Sequence, residues 1–205
     1  MKTSTGIEKL DIFLNGGFKA NSVVLVNGMK SVKNLFSVQF LKKGIYITTD
    51  NVSNVKDRIK DYNLKNDVKF ISIGSEGGDK NVEGPSSLEE ISIALDDLWK
   101  GPYLGDIVLN SLSSLMLHNS LERVVDFLHS LINKTKTKNK VLMFVIDDET
   151  LKKKEVKTIE EISTVIVSFI KNDAGRFIGV KDDCPDSLLE FNIGENGIEL
   201  DEEFL

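Results

Sequence analysis

The stretch from Ser22 to Leu41 reads SVVLVNGMKSVKNLFSVQFL. Val23 to Val26 make an unbroken apolar run, which predicts a strand. A short polar turn follows, and then Leu35, Val38 and Leu41 recur at helical spacing, which predicts a helix. A strand that feeds a helix through a polar turn leaves a helix N-terminus at the strand's end. Its unpaired N–H groups and partial positive charge attract anions.

The motif that uses this setting to hold a nucleotide triphosphate is G-x-x-x-x-G-K-[ST]. Its glycines let the backbone close on phosphate oxygens, its lysine neutralises them, and its hydroxyl holds Mg²⁺. The same eight positions here are Asn27, Gly28, Met29, Lys30, Ser31, Val32, Lys33 and Asn34, and only Lys33 keeps its place. Asn27 is a mild replacement, because asparagine tolerates left-handed backbone and Gly28 beside it is able to take over the turn. Val32 is a severe one. A β-branched residue resists positive φ and puts its side chain where a phosphate oxygen would approach. Asn34 puts a carboxamide in the place of the hydroxyl, a longer arm with a different angle toward a cation. The expected result is a loop of altered shape with weak or absent triphosphate affinity. Asn27, Gly28, Lys30, Ser31, Lys33 and Asn34 are the nucleotide contacts it would offer, with Lys33 still suited to an anion.

Composition bounds the class. The 205 residues suffice for one well-buried domain spanning 1–205, and 40% hydrophobic with 28% charged residues is the balance of a soluble globular chain. No apolar run approaches the ~20 residues that span a bilayer. Polar and acidic residues interrupt the apolar ones of MKTSTGIEKLDIFL, so this segment is not read as a secretory signal. The single cysteine, Cys184, excludes an intramolecular disulfide and fits a reducing, cytoplasmic setting. A net charge of −6 argues against nucleic acid and anionic membranes as partners. The local exception is Lys134, Lys136, Lys138 and Lys140, read as a solvated connection between a helix and a strand, the alternative being a patch for phosphate or an acidic partner.

Along the chain, strands are predicted at Ile45 to Thr48 and Val68 to Ile73, with a helix marked by Val52, Val55 and Ile59 between them. GSEGGDKNVEGPSS reads as a loop. Ser86 or Ser87 is placed to cap a helix from Leu88 to Lys100, with Trp99 in the core. A strand at Asp106 to Leu109, a helix from Leu121 to Ile132 and a strand at Val141 to Ile146 follow. Ile159 and Ile162 begin a short helix that leads into a strand at Val165 to Ile170. Arg176 to Val180, Leu188 to Ile193 and Ile198 to Leu200 read as shorter strands, the last two joined through Gly194-Glu195-Asn196-Gly197 as a hairpin. The acidic end, Asp201 to Glu203, reads as a solvated tail. His118 and His129, in or beside apolar helical surroundings, read as structural.

Separated motifs agree on a family resemblance. STGIEKLDIFLNGGFKANSVVLVNG resembles the lead-in to the phosphate loop of the KaiC-like branch of the RecA superfamily of P-loop ATPases, through Thr5, Gly6, Leu10, Asp11, Leu14, Gly16 and Gly17. The resemblance continues at Gln39-Phe40-Leu41, at IYITTDN, at IVLNSLSSLM and in the terminal NGIEL. It implies an α/β, RecA-like P-loop NTPase fold, with a mainly parallel central sheet flanked by helices and C-terminal antiparallel strands.

The resemblance also implies where chemistry would sit. Asn110 takes the position of the family's Mg²⁺-organising aspartate, so Asn34 and Asn110 stand at both metal positions and Mg²⁺ is not expected to be held. Asp50 and Asn51 take the place of a Glu-Glu pair that activates water, which leaves Asp50 as a candidate base with a side chain one methylene shorter, the alternative being a cap on the following helix. Gly179 and Lys181 replace a Lys-x-Arg pair that reaches a neighbouring subunit's phosphates. The leading expectation is a pseudo-ATPase, a regulatory or scaffolding module with a protein partner or further copies of itself. The alternatives are a sensor that binds ATP or ADP through Lys33, Ser31, Asn34 and Lys181 without turnover, and a slow ATPase using Asp50.

Overall fold

The computed structural model describes residues 1–99, 105–182 and 187–200. The elements in chain order are β1 (Lys2–Thr3), α1 (Glu8–Phe13), β2 (Phe18–Lys19), β3 (Val23–Gly28), α2 (Lys30–Phe40), β4 (Lys43–Thr48), α3 (Val52–Asp61), β5 (Asp67–Ile73), β6 (Lys80–Val82) and α4 (Leu88–Leu98). They continue with β7 (Asp106–Asn110), α5 (Leu112–His118), α6 (Leu121–Thr137), β8 (Leu142–Val145), α7 (Lys153–Ile162), β9 (Val165–Asn172), β10 (Gly175–Lys181), β11 (Ser187–Gly194) and β12 (Gly197–Leu200). β1 pairs with β2, and the remaining strands form one sheet ordered β12-β11-β10-β9-β3-β8-β7-β4-β5-β6. Pairing is parallel from β9 to β6 and antiparallel from β9 outward to β12. This is the α/β architecture that the strand and helix series predicts.

The central strands are apolar at every step because helices cover both of their faces. Val24, Val26, Met143 and Val145 point to one core, shared with Leu10 of α1, Leu35 of α2 and Val55 of α3. Val23, Leu25, Leu142 and Phe144 point to the other, shared with Leu95, Leu115, Leu128 and Ile159 of α4 to α7. Trp99 is buried in this second core, as expected. Among the described residues no helix is long and apolar enough to cross a membrane.

Local departures from the sequence reading have local causes. The predicted loop after β5 contains β6, a three-residue edge strand with one buried apolar residue, Val82, too short to show a period. Ser87 precedes α4, but its side chain makes no cap. α6 runs on to Thr137, so Lys134 and Lys136 lie in its last turn, where cations complement the helix dipole. Lys134 Nζ binds the Asp96 carboxylate at 2.8 Å, and Lys138 Nζ sits 5.2 Å from the Trp99 ring centroid. Ile159 and Ile162 end α7 rather than begin it. α5 has no counterpart in the predicted series, and His118 and His129 are exposed rather than set in apolar surroundings. Lys100, Cys184 and Asp201 to Glu203 lie outside the described residues.

Two side chains fasten the N-terminal segment. Asp11 accepts from Thr5 N at 2.6 Å and from Ser4 Oγ, which folds the lead-in back on itself. Gln39, buried in α2, donates to Gly6 O and Ile198 O at 3.0 Å each and accepts from Ile198 N at 2.8 Å. Its amide serves as one residue of a further strand beside β12. Gly6 and Gly197, at φ of 86° and 107°, are required there, since a Cβ on either would run into Gln39.

Gln39→Ala strips Ile198 of both partners and should lower stability by roughly 2–3 kcal/mol, read from urea unfolding. A second expectation concerns Asp106, whose Oδ1 accepts from Val141 N at 2.8 Å. Burial pushes the Asp106 carboxyl above its ordinary value, against the pull of that bond and of Lys140. A raised folded value means that the contribution is complete below the unfolded carboxylate range and is lost as pH rises through the folded one. Asp106→Asn should therefore gain stability on the wild type between acid and neutral pH, as judged by urea midpoints.

Candidate functional site

The connection from β3 to α2 is a single residue. β3 continues through Gly28, which pairs with Phe169, and Met29 N donates to Phe169 O at 3.0 Å. Gly28 has φ of 91°, and a Cβ there would strike the Phe169 carbonyl, so this turn takes glycine. α2 begins at Lys30, and Val32 N and Lys33 N donate to Met29 O at 3.1 and 2.9 Å. The amides of these two positions are therefore spent inside the helix. Val32 sits in helical backbone and is buried.

One helical turn in, Lys33 points into the protein. Its Nζ donates to Ile146 O at 2.7 Å and lies 3.7 Å from Asp147 Oδ1, with the side chain only 3% exposed. The ammonium thus closes the end of β8. Asp147 is itself positioned by Ser113, whose Oγ accepts from Asp147 N at 2.7 Å.

Asn34 and Asn110 meet. Asn110 Nδ2 donates to Asn34 Oδ1 at 3.2 Å and to the Tyr46 hydroxyl at 2.8 Å. The Tyr46 hydroxyl is 2.7 Å from Ser37 Oγ, which donates to Asn34 O at 2.8 Å. All four residues are buried, and the bonds form a closed circuit joining α2 to β4 and β7. Burial pushes the Tyr46 phenol above its ordinary value, and the bonds to Ser37 and Asn110 oppose that rise. A hard cation wants oxygen donors, with carboxylates foremost. Asn110 turns N–H toward this position and the Asn34 oxygen is already engaged, so the residues present do not fit Mg²⁺.

Around Lys33 lies a cleft of about 140 Å³ at the carboxyl ends of β4, β7 and β8, with Lys30, Asn34, Asp50, Asn110 and Asp147 in its lining. Open α/β sheets bind ligands at this end, but small-molecule pockets usually measure about 300–1,000 Å³. Asp50 is half-buried on the rim, and its backbone N–H donates to Thr48 Oγ1. The cap of α3 is Asn51, whose Oδ1 accepts from Ser53 N at 3.0 Å. Of the other predicted contacts, Asn27 and Gly28 belong to β3 and line no part of the cleft, and Ser31 is exposed outside it. Lys181 is exposed on β10 and registers with Ile166, which registers with Leu25. It stands two strands from β3 and away from its carboxyl end, so the chain does not bring it to Lys33.

Tyr46, Ser37 and Asp147 were not among the predicted site residues. Each left a signal: a hydroxyl within a buried strand, a serine on the apolar face of a helix, and a carboxylate directly after the buried run Val141 to Ile146. Lys33→Met would leave the Ile146 carbonyl and Asp147 without their partner. It should lower stability by about 1–3 kcal/mol in urea unfolding, the penalty of an unmade buried bond.

Comparison with known proteins concerns the fold and the family. A KaiC-like protein from the hyperthermophilic archaeon Pyrococcus horikoshii OT3, solved by crystallography, shares the fold with a TM-score of 0.73. The identity is 14%, over 98% of this chain and 99% of that one, so the likeness concerns the RecA-like fold. No curated protein matches the sequence. The model of the family described as "Protein of unknown function (DUF835)" matches residues 22–162, from the residue before β3 to the end of α7. The chain belongs to the DUF835 family.

Proposed function

We propose that this protein is a pseudo-ATPase: one KaiC/RecA-like domain over residues 1–205 that has lost ATP hydrolysis and serves as a regulatory or scaffolding module. The observation that carries this reading is the state of Lys33, whose ammonium is bonded to Ile146 O inside the fold while its backbone N–H is bonded to Met29 O. Phosphoryl transfer rests on positioned donors, a metal and a placed water acting together. Here the donors of Val32 and Lys33 are engaged, and the metal positions are two amides bonded to each other. Asp50 on the rim of the cleft is a carboxylate beside two amides that bond each other rather than beside a metal-holding pair, which weighs against a slow ATPase. The module then works through contact with a protein partner or a second copy, and the acidic net charge favours a protein partner over nucleic acid.

A second reading, a sensor that holds ATP or ADP without turnover, draws support from Lys30, which is exposed at the N-terminus of α2 and on the wall of the cleft. Calorimetry with ATP and ADP, with and without Mg²⁺, separates the two. The expected outcome is no binding heat at millimolar nucleotide and no phosphate release, for the wild type and for Lys33→Ala alike. Binding that vanishes in Lys33→Ala would establish the sensor, and turnover that vanishes with it would establish an enzyme.

A further inference from the structure

We infer that the Asn34, Asn110, Tyr46 and Ser37 circuit is a built-in replacement for a bound cation. It fastens the first turns of α2 to the ends of β4 and β7 by neutral bonds, and it makes the position reject metal. Two oxygen-bearing groups facing each other across a helix and a strand repel unless a cation or a proton lies between them. Asn110 supplies that proton covalently. One of its Nδ2 hydrogens goes to Asn34 Oδ1 and the other to the Tyr46 hydroxyl. The tyrosine hydrogen is then free for Ser37 Oγ, and the serine hydrogen returns to Asn34 O.

Every polar hydrogen of the circuit's Asn110 amide and of its two hydroxyls has an acceptor, in a region 7% exposed or less. Such a network is rigid, because breaking any member leaves a buried group unpaired. A cation entering here would find the Asn110 amide N–H groups, already directed at Asn34 and Tyr46, where it needs an oxygen ligand. It would also have to displace the bond at Asn34. The contact between α2 and the sheet is therefore set during folding and does not wait for a ligand. The inference rests on this donor set rather than on the function proposed above. Metal-free ATP binding would overturn that function and leave the circuit's role intact.

Thermal melting with a Mn²⁺ titration tests it, with electron paramagnetic resonance to count bound Mn²⁺. The wild type should bind no Mn²⁺ and keep its Tm at millimolar metal. Tyr46→Phe, which breaks the circuit without adding an oxygen, should melt roughly 3–8 °C lower and remain indifferent to Mn²⁺. The pair Asn34→Ser with Asn110→Asp should melt lower in the absence of metal and recover on adding Mn²⁺, with Mn²⁺ bound. Stoichiometric Mn²⁺ on the wild type that is lost in Asn110→Leu would overturn the inference. A paired variant that folds and ignores Mn²⁺ would do so as well. Should the paired variant not fold, Asn110→Leu decides by itself: a Tm below the wild type by a similar margin supports the fastening role, and a Tm equal or higher overturns it.

Discussion

Because only Met29 separates β3 from α2, the helix is wound from Lys30 onward, and the faces on which its next polar residues lie are set by that start. Two amides that would otherwise face outward are bonded to Met29 O. The same winding sends Lys33, Asn34 and Ser37 inward, one toward the end of β8 and two toward β7 and β4. Gly28 makes the abrupt turn possible by accepting positive φ against the Phe169 carbonyl.

α2 is in consequence buried from Val32 to Phe40 without interruption. A helix enclosed on all sides is usually apolar all round. This one carries Lys33, Asn34, Ser37 and Gln39, and each has an internal partner on a different strand or strand end. Lys33 holds Ile146, Asn34 holds Asn110, Ser37 holds Tyr46, and Gln39 holds Ile198. An unpaired polar group at such depth is destabilising by about 1–3 kcal/mol, whereas a paired one is mildly favourable and directional. Apolar contacts alone would hold α2 on the sheet. The four polar side chains also fix its rotation and height, and through Gln39 they bind the C-terminal hairpin to the N-terminal lead-in.

The residues that carry the family resemblance at the lead-in have structural duties. Asp11 closes the segment around Thr5 and Ser4, Gly6 makes room for Gln39, and a Cβ on Gly17 would strike the Thr3 carbonyl. None of them lines the cleft. Steric and hydrogen-bonding requirements of this kind are met by few residue types. They say nothing about what the cleft does.

The sequence by itself determined the layering. Apolar runs such as Val23 to Val26 and Val141 to Ile146 require cover on both faces, and periodic helices between them supply it. The Gly194 to Gly197 turn determined the terminal hairpin through local backbone preferences. Position within the motif also brought Lys33, Asn34, Asp50 and Asn110 to one end of the sheet, where they line a common cleft. What those groups do there was decided by the tertiary structure. Asn34 and Asn110 are 76 residues apart, and Lys33 and Ile146 are 113 apart. No local pattern encodes whether such groups face a ligand or one another. That choice follows from where α2 begins relative to the ends of β4, β7 and β8, a distance set only when the whole sheet is assembled. Lys181 shows the same limit from the other side: the resemblance has its position reach a neighbouring subunit, and register within one chain puts it on β10 without deciding what it meets.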